Sequence, residues 1–321
     1  MGALKNSIMK KTSKPIVFFG SGPVAAKSLE LLAENFVIEA VITKPRPAHH
    51  KGETPVLDVA ARLDIPIKTV SNKKELDVLF ENKPFTSTVG VLVDFGIIIS
   101  QKVIDYFPLG IVNSHFSILP EWRGADPITF AILSGQKKTG VSLMLLVEAM
   151  DEGPLLAYAE YDIDENETTI TLTENLIQLS NSLLSDKLPQ YIEGEIRPVP
   201  QSVTGRDVSY SRKLTKQDGV INWSKSAEVL SREVRAFSAW PKSRTVLTGK
   251  DVIITKAHAV PGNTPGKKPG DIEESVINDG ILMVETTDGR LCIDALKPAG
   301  KPEMTGKAFL AGYKNQLLQA N

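Results

Sequence analysis

Cysteine is almost missing from this chain: Cys292 is the only one in 321 residues. No internal disulfide can form, and no cluster of thiolates can hold a metal. That suits a reducing compartment, and Cys292 itself reads as a small strand hydrophobe. Long apolar runs are also missing. None approaches the roughly 18 residues that a membrane-spanning helix needs, so no membrane partner is expected. Acidic residues are absent before Glu30. The opening MGALKNSIMKKTSKP is therefore basic, yet it lacks the apolar stretch of a secretory leader and the arginines of a transit peptide. Residues 1–14 are expected to form a flexible extension, and the chain to act in the cytoplasm.

What is present describes a globular protein of ordinary make-up, with 42% hydrophobic and 23% charged residues. The length favours two domains over one. The net charge of −1 conceals a division. Residues 1–205 carry 19 Lys+Arg against 25 Asp+Glu, a balance of −6, whereas residues 206–321 carry 18 against 13, a balance of +5. The second half is thus suited to meet an anionic partner, although a solvated basic surface would leave the same count.

Along the first half, short apolar runs alternate with helical stretches. PIVFF, VIEAVIT, IPIKTV, STVGVLVDF and GIVNSH read as strands, and VAAKSLELLAENF, TPVLDVAARLD, KKELDVLFE and SQKVIDYF as helices. This alternation predicts an α/β fold, with an open, mainly parallel sheet covered on both faces. PITFAILSG follows as a helix, GVSLMLLV and LLAYAEYDI as strands, and TTITLTENLIQLSNSLLSDKLPQYIEG as one long amphipathic helix. RPVPQSVTG, with two prolines and no periodicity, reads as a linker. The second half opens with the helix SAEVLSREVRAFS and then turns to strands separated by TGK, NDG and TDG, as in a small antiparallel barrel. PGNTPGKKPG is expected to be a mobile hairpin connection, since it lacks the spacing and following helix of a nucleotide P-loop.

Three groups of residues carry candidate chemistry. GSGPVA at 20–25 fits G-x-G-x-x-A between a strand and a helix. A dinucleotide reading also needs an acid at the end of the second strand, but that strand runs into Thr43 and Lys44, with Glu39 inside it. The glycines read instead as a tight turn, of the kind that can meet an anion at the helix end. His49, His50, Lys51 and Glu53 could suggest a metal site, but adjacent histidines on a loop rarely converge on one ion. KPRPAHHKG is more readily a basic finger, and no metal is expected. The third group is NSHFSILP. Side chains alternate along a strand, so Asn113 and His115 share one face, at a carboxyl end where open α/β sheets gather ligands. Asp151 follows what should be a neighbouring strand. An amide, an imidazole and a carboxylate at one crevice can hold a developing oxyanion and move a proton. Spacing alone leaves that reading level with a strand-end histidine bonded to a loop.

The stretch NSHFSILPEWRGADPI resembles the N-x-H-x-S-L-L-P-x-W-R-G-A-x-P-I signature of the folate-dependent formyltransferases. The resemblance runs from about Pro15 to Tyr313 and includes FFGSGPVAAKSLELL, VLVDFGIII, TGVSLMLLVEAMDEGP, SRKLTKQDGVINW and LKPAGKPEMTGKAFLAGY. It implies a Rossmann-like catalytic domain at 15–188, a linker at 189–205 and a small OB-like antiparallel β-barrel at 206–321. It further implies transfer of a formyl group from 10-formyltetrahydrofolate, without a metal, to the amine of methionine carried by initiator tRNA. A nucleotide-sugar amine as acceptor, or hydrolysis of the folate, are the alternatives. By the same resemblance Asn113, His115 and Asp151 form the catalytic set. Phe95, Gly96 and Ile97 lie beside the pterin, and Ser117, Ile118, Leu119 and Pro120 form the folate-binding turn. Lys44, Arg46 and Lys51 on the basic loop and Arg212, Lys213 and Arg235 in the second half are the expected tRNA contacts, and the enzyme is expected to be a monomer. The chain departs from the pattern at Phe116, Asp94, Glu121 and Pro154, and its basic loop is about one residue shorter.

Overall fold

The computed structural model describes residues 12–46, 52–272 and 280–319. The chain forms two compact units. The first comprises Met1–Gly124, Lys138–Asp162 and Thr173–Tyr210; the second comprises Ala125–Lys137, Ile163–Leu172 and Ser211–Asn321.

In the first unit the predicted alternation becomes β1 (Thr12–Gly20), α1 (Gly22–Asn35), β2 (Phe36–Thr43), α2 (Pro55–Arg62), β3 (Ile67–Thr69), α3 (Lys73–Glu81), β4 (Gly90–Val93), α4 (Gln101–Ile104) and β5 (Ile111–His115). The two-residue strand β6 (Arg123–Gly124) follows. After α5 (Pro127–Ser134), which belongs to the second unit, come β7 (Lys138–Leu145), β8 (Leu155–Asp162) and the long helix α6 (Thr169–Ile192), which belongs to this unit from Thr173 on. The strands form one seven-stranded sheet in the order β3-β2-β1-β4-β5-β7-β8. The first five run parallel, whereas β7 lies antiparallel to β5 and β8 antiparallel to β7. The mainly parallel sheet read from the sequence is what forms, with an antiparallel edge of two strands.

Near-continuous apolar strands bury both faces of this sheet. On one face Phe19 meets Phe80, Phe95 and Phe107 at ring centroid distances of 6.2, 5.6 and 6.0 Å. Truncating one such ring to alanine costs about 3–5 kcal/mol, so this cluster anchors β1 and β4 beneath the loops that follow them. α3 starts where its sequence says it should: Asn72 caps it by accepting the Glu75 N–H at 3.1 Å.

The two-residue strand β9 (Tyr210–Ser211) falls where the first unit ends, and α7 (Ala227–Ala236) follows in the second. Then come β10 (Ser243–Leu247), β11 (Lys250–Val260), β12 (Met283–Glu285), β13 (Arg290–Pro298), β14 (Met304–Thr305) and α8 (Gly306–Gln319). The order β10-β11-β13-β12, with β14 on β13, makes an antiparallel sheet. A bulge in β11 between Ile254 and Ala257 bends it around a core of Leu230, Val234, Ile254, Leu291, Ile293 and Phe309. The connection PGNTPGKKPG, expected to be mobile, is tied down at Asn263. Its amide donates to the Thr286 carbonyl at 2.8 Å and accepts from the Gly289 N–H at 3.0 Å.

Candidate active site

Strand β5 is buried at all five positions. Its alternation is visible at Ser114, whose hydroxyl meets that of Ser180 on α6 at 2.7 Å. Asn113 and His115 therefore point to the opposite face, each 7% exposed. The His115 Nε2 lies 2.9 Å from the carbonyl of Trp122. A carbonyl only accepts, so Nε2 carries hydrogen and Nδ1 is left as the atom facing the site. Nδ1 is 3.9 Å from Oδ1 of Asp151, too far for a direct hydrogen bond. Among the described residues no side-chain hydrogen bond engages the Asn113 amide. A nearly buried amide left in that state is costly unless something polar meets it.

Asp151 reaches His115 by an unexpected route. β7 neighbours β5, but in antiparallel register: His115 pairs with Ser142, and Val112 with Leu145. The carboxyl end of β7 thus lies at the wrong end of β5, and residues 146–151 must run back along it. Asp151 sits at φ 53°, in the left-handed region, and its Oδ2 accepts the Gly124 N–H at 2.7 Å. Gly153 permits the return, because a Cβ there would stand 1.7 Å from the Leu145 carbonyl oxygen. Gln201 holds the loop from outside, donating to the carbonyls of Asp151 and Gly153 at 2.7 and 2.9 Å.

The crevice lies at the carboxyl ends of β1, β4 and β5, where the strand order reverses between β1 and β4. The Ser21 N–H donates to the Asp94 carbonyl at 2.9 Å and joins the two strand ends. Asp94, at φ 46°, begins the loop of the expected pterin contacts. Phe95 is buried against Phe19, Ile97 packs on the same cluster, and Gly96 turns at φ 65° with the Lys44 ammonium 2.9 Å from where its Cβ would stand. The turn Ser117–Pro120 is buried throughout. Ser142 fixes it, accepting from the Leu119 N–H at 2.9 Å and donating to the Ser117 carbonyl at 2.8 Å. Phe116 packs inside, and Glu121 is paired with Arg206 at 2.9 Å.

Glu39, weighed above as a possible ribose acid, faces the amino-terminal approach to β4. It accepts from the Thr86 and Ser87 N–H groups at 2.7 and 2.8 Å. Burial pushes its carboxyl up, but hydrogen bonds from Ser87 and Thr86 outweigh that and leave it below its usual range.

The expected tRNA contacts are differently engaged. Lys44 and Lys213 are exposed. Arg46 donates to Thr54 at 3.0 Å and stands 3.8 Å from Asp58. Arg212 binds Asp218 through both terminal nitrogens, which holds that carboxyl well below its usual range. Arg235 donates to the Glu167 carbonyl at 2.9 Å and lines a cavity of about 360 Å³ with Arg232, Asp164, Glu165 and Glu228. Burial and the nearby Arg232 lower its pKa. Lys51, with His49 and His50, lies outside the described residues. Among the described residues one group could hold a metal: His258, Cys292 and Asp294, their ligand atoms within 4.8 Å of one another. The imidazole already pairs with Asp294 at 3.0 Å, and burial, with Asp294 beside it, pushes the Cys292 thiol up.

The family model "Formyl transferase" matches residues 14–188, and "Formyl transferase, C-terminal domain" matches residues 213–314. The chain belongs to the formyl transferase family. The methionyl-tRNA formyltransferase of Bacillus licheniformis is 34% identical over 92% of this chain and 94% of its own length. That of Chloroflexus aurantiacus is 35% identical over 92% and 96%. An N-formyltransferase from Helicobacter canadensis, solved with folinic acid and dTDP-3-aminofucose, superimposes with a TM-score of 0.64. It covers 87% of this chain and 98% of its own at 18% identity, a likeness that shows the formyl transferase fold.

Sequence reasoning missed Gln201, Gly124, Ser209 and the Trp122 carbonyl. Two of these act through the backbone, which sequence does not display. Gln201 and Ser209 fall in or beside the proline-broken stretch that reads as a linker.

Proposed function

We propose that this formyl transferase is a methionyl-tRNA formyltransferase, moving the formyl group of 10-formyltetrahydrofolate to the amine of methionine on initiator tRNA. The observation that carries the reading is the end-to-end likeness: 34% identity with a methionyl-tRNA formyltransferase across 94% of that protein's length, both family domains included.

The residues present suit a folate donor. The Asn113 amide, which no side-chain hydrogen bond engages among the described residues, offers a polar anchor, and the glycine at 96 keeps the backbone open beside the Lys44 ammonium. When bound, the folate supplies the electrophilic formyl carbon. The Asn113 amide then donates to the oxygen on which charge grows as the amine attacks. His115 in its imidazolium form donates to the same oxygen from Nδ1, because Nε2 is committed to the Trp122 carbonyl. At 3.9 Å Nδ1 and Asp151 are too far apart to bond directly but close enough for both to reach one reacting group beside them. Asp151 draws on the imidazolium charge, takes the proton that the attacking amine must lose, and returns it to the donor nitrogen N10 as the bond from that nitrogen to the formyl carbon breaks. An uncharged amine is nucleophilic enough to need no activating metal.

We place the formyl-transferring domain at residues 15–188, the linker at 189–205 and the tRNA-binding domain at 206–321. The excess of 18 Lys+Arg over 13 Asp+Glu after residue 205 supports phosphate contacts there. Lys44, Arg46 and Lys51 then reach the acceptor end, and Lys213 and Arg212 the backbone, with Arg212 exchanging Asp218 for phosphate. Arg235 is the weakest of these contacts, being half-buried beside three acids. We further infer a monomer working in the cytoplasm. Among the described residues, no helix is long and apolar enough to cross a membrane.

The deciding experiment incubates the protein with 10-formyltetrahydrofolate and methionyl-initiator tRNA. Free methionine, methionyl-elongator tRNA and an amino-sugar nucleotide serve as competing acceptors. The initiator tRNA should be formylated fastest, and its binding should weaken steeply as salt rises. Formylation of the sugar amine but not the tRNA sinks the reading.

A further inference from the structure

We infer that Gln201, on a one-turn helix in the stretch that reads as a linker, is a positioning residue for Asp151. The inference rests on the role proposed for Asp151 and extends it to a side chain fifty residues away.

Gln201 is 5% exposed, and the partners of its amide are of unambiguous kinds. Nε2 donates both hydrogens, to the Asp151 carbonyl at 2.7 Å and the Gly153 carbonyl at 2.9 Å. Oε1 accepts twice from the Arg123 guanidinium, at 3.1 and 2.8 Å. Carbonyls only accept and a guanidinium only donates, so the amide orientation is fixed by chemistry. Every hydrogen-bonding site of Gln201 is used.

What it joins matters. One side is the loop that carries Asp151. The other is the segment Trp122–Gly124, which supplies the carbonyl on His115 and the N–H on Asp151. Arg123 completes the ring through Glu152 at 3.2 Å. Both Trp122 and Asp151 hold left-handed backbone, at φ 55° and 53°. Such a conformation persists in non-glycine residues only where the surroundings over-determine it. Gln201 is itself anchored on both sides. Val199 pairs with Leu155, and Ser209 accepts from the Trp122 and Arg123 N–H groups, both at 2.9 Å. The stretch 199–209 therefore works as a strap across both loops, and Gln201 is its point of contact with the Asp151 loop.

Two substitutions separate positioning from packing. Gln201→Glu keeps the shape and strengthens the pairing with Arg123, but it turns an acceptor toward two carbonyls. Gln201→Met keeps the length and removes all four bonds. Full-length wild type, both variants, Asp151→Asn and Asp151→Asn/Gln201→Met are compared in single-turnover formylation with enzyme in excess, alongside kcat, KM for both substrates and melting temperature. A reactive group displaced by about 1 Å loses up to about 100-fold in rate. Both Gln201 variants should therefore lose roughly 10–100-fold in kcat, with KM within about threefold. Adding Gln201→Met to Asp151→Asn should cost less than about twofold more, because the group being positioned is already gone. Gln201→Glu at wild-type kcat overturns the inference, since the two donors are then dispensable. So does a Gln201→Met loss of equal factor in both backgrounds, which marks a general structural role. Wild-type activity in Asp151→Asn overturns instead the role given to Asp151.

Discussion

The turn after β5 and the loop after β7 both bring a group to the same imidazole, but they are held there by different means. Residues 116–122 leave a buried strand directly, and Ser142, on the adjoining strand, fixes the turn. Residues 146–153 leave their strand at the far end of β5 and must return. They stay in place through a glycine, one backbone N–H, Gln201 and the pairing of Glu152 with Arg123. One half of the site is therefore a local consequence of strand geometry. The other is a tertiary construction, and it should be the easier half to disable from a distance.

The largest expected effect comes from the group both loops share. His115→Ala removes a donor and a proton-handling group together, and should lower kcat by about 10²–10⁴-fold. Single-turnover formylation measures it, and a rate within tenfold of wild type removes His115 from the chemistry. Asn113→Ala should follow, at about 10²–10³-fold, the usual cost of one oxyanion donor. Because no side-chain hydrogen bond engages the Asn113 amide among the described residues, its removal should not destabilise the fold. A melting temperature that falls sharply would show the amide to be structural instead.

The comparison between the loops is sharpest at Gly153, which touches no reacting group. Gly153→Ala places a methyl 1.7 Å from the Leu145 carbonyl, and the neighbour is backbone, so the loop must move. The expected loss is about 10²-fold in kcat and about 1–3 kcal/mol in stability. Denaturation with urea and steady-state kinetics on one preparation report both. An unchanged kcat means that the loop can be displaced without displacing Asp151.

This difference also marks what the sequence could disclose. The alternation of strands and helices was legible because burial on both faces writes itself into runs such as VGVLV. The shared face of Asn113 and His115 followed from period two alone, and Ser114 turning toward Ser180 bears it out. The direction of β7 was not legible, since an apolar strand reads the same either way. For that reason Asp151 was expected at His115 from a strand end that lies elsewhere. Gln201 was hidden more deeply. Its neighbours Pro198 and Pro200 break periodicity, and a stretch without periodicity reads as a linker even when one of its side chains makes four hydrogen bonds. The pairing of Arg212 with Asp218 was equally invisible, and composition alone would have counted Arg212 as a free cation.

The smallest effect is predicted at the opposite end of the sheet, where the crevice chemistry has no reach. Glu39 holds the two N–H groups ahead of β4. Glu39→Gln should cost about 1–2 kcal/mol at neutral pH, the worth of weakened charge-assisted bonds, and leave kcat unchanged. Its pH dependence has a definite sign. The folded-state pKa lies below the ordinary value of 4.5, so the stabilisation is fully present above that value and is lost as pH falls through the folded pKa. The gap in melting temperature between wild type and Glu39→Gln should therefore be constant at neutral pH and close below about 4.5. A gap that persists in acid would assign the cost to packing. A fall in kcat at pH 7 would mean that the two ends of the sheet are coupled, and that the site's dependence on distant partners reaches beyond the strap.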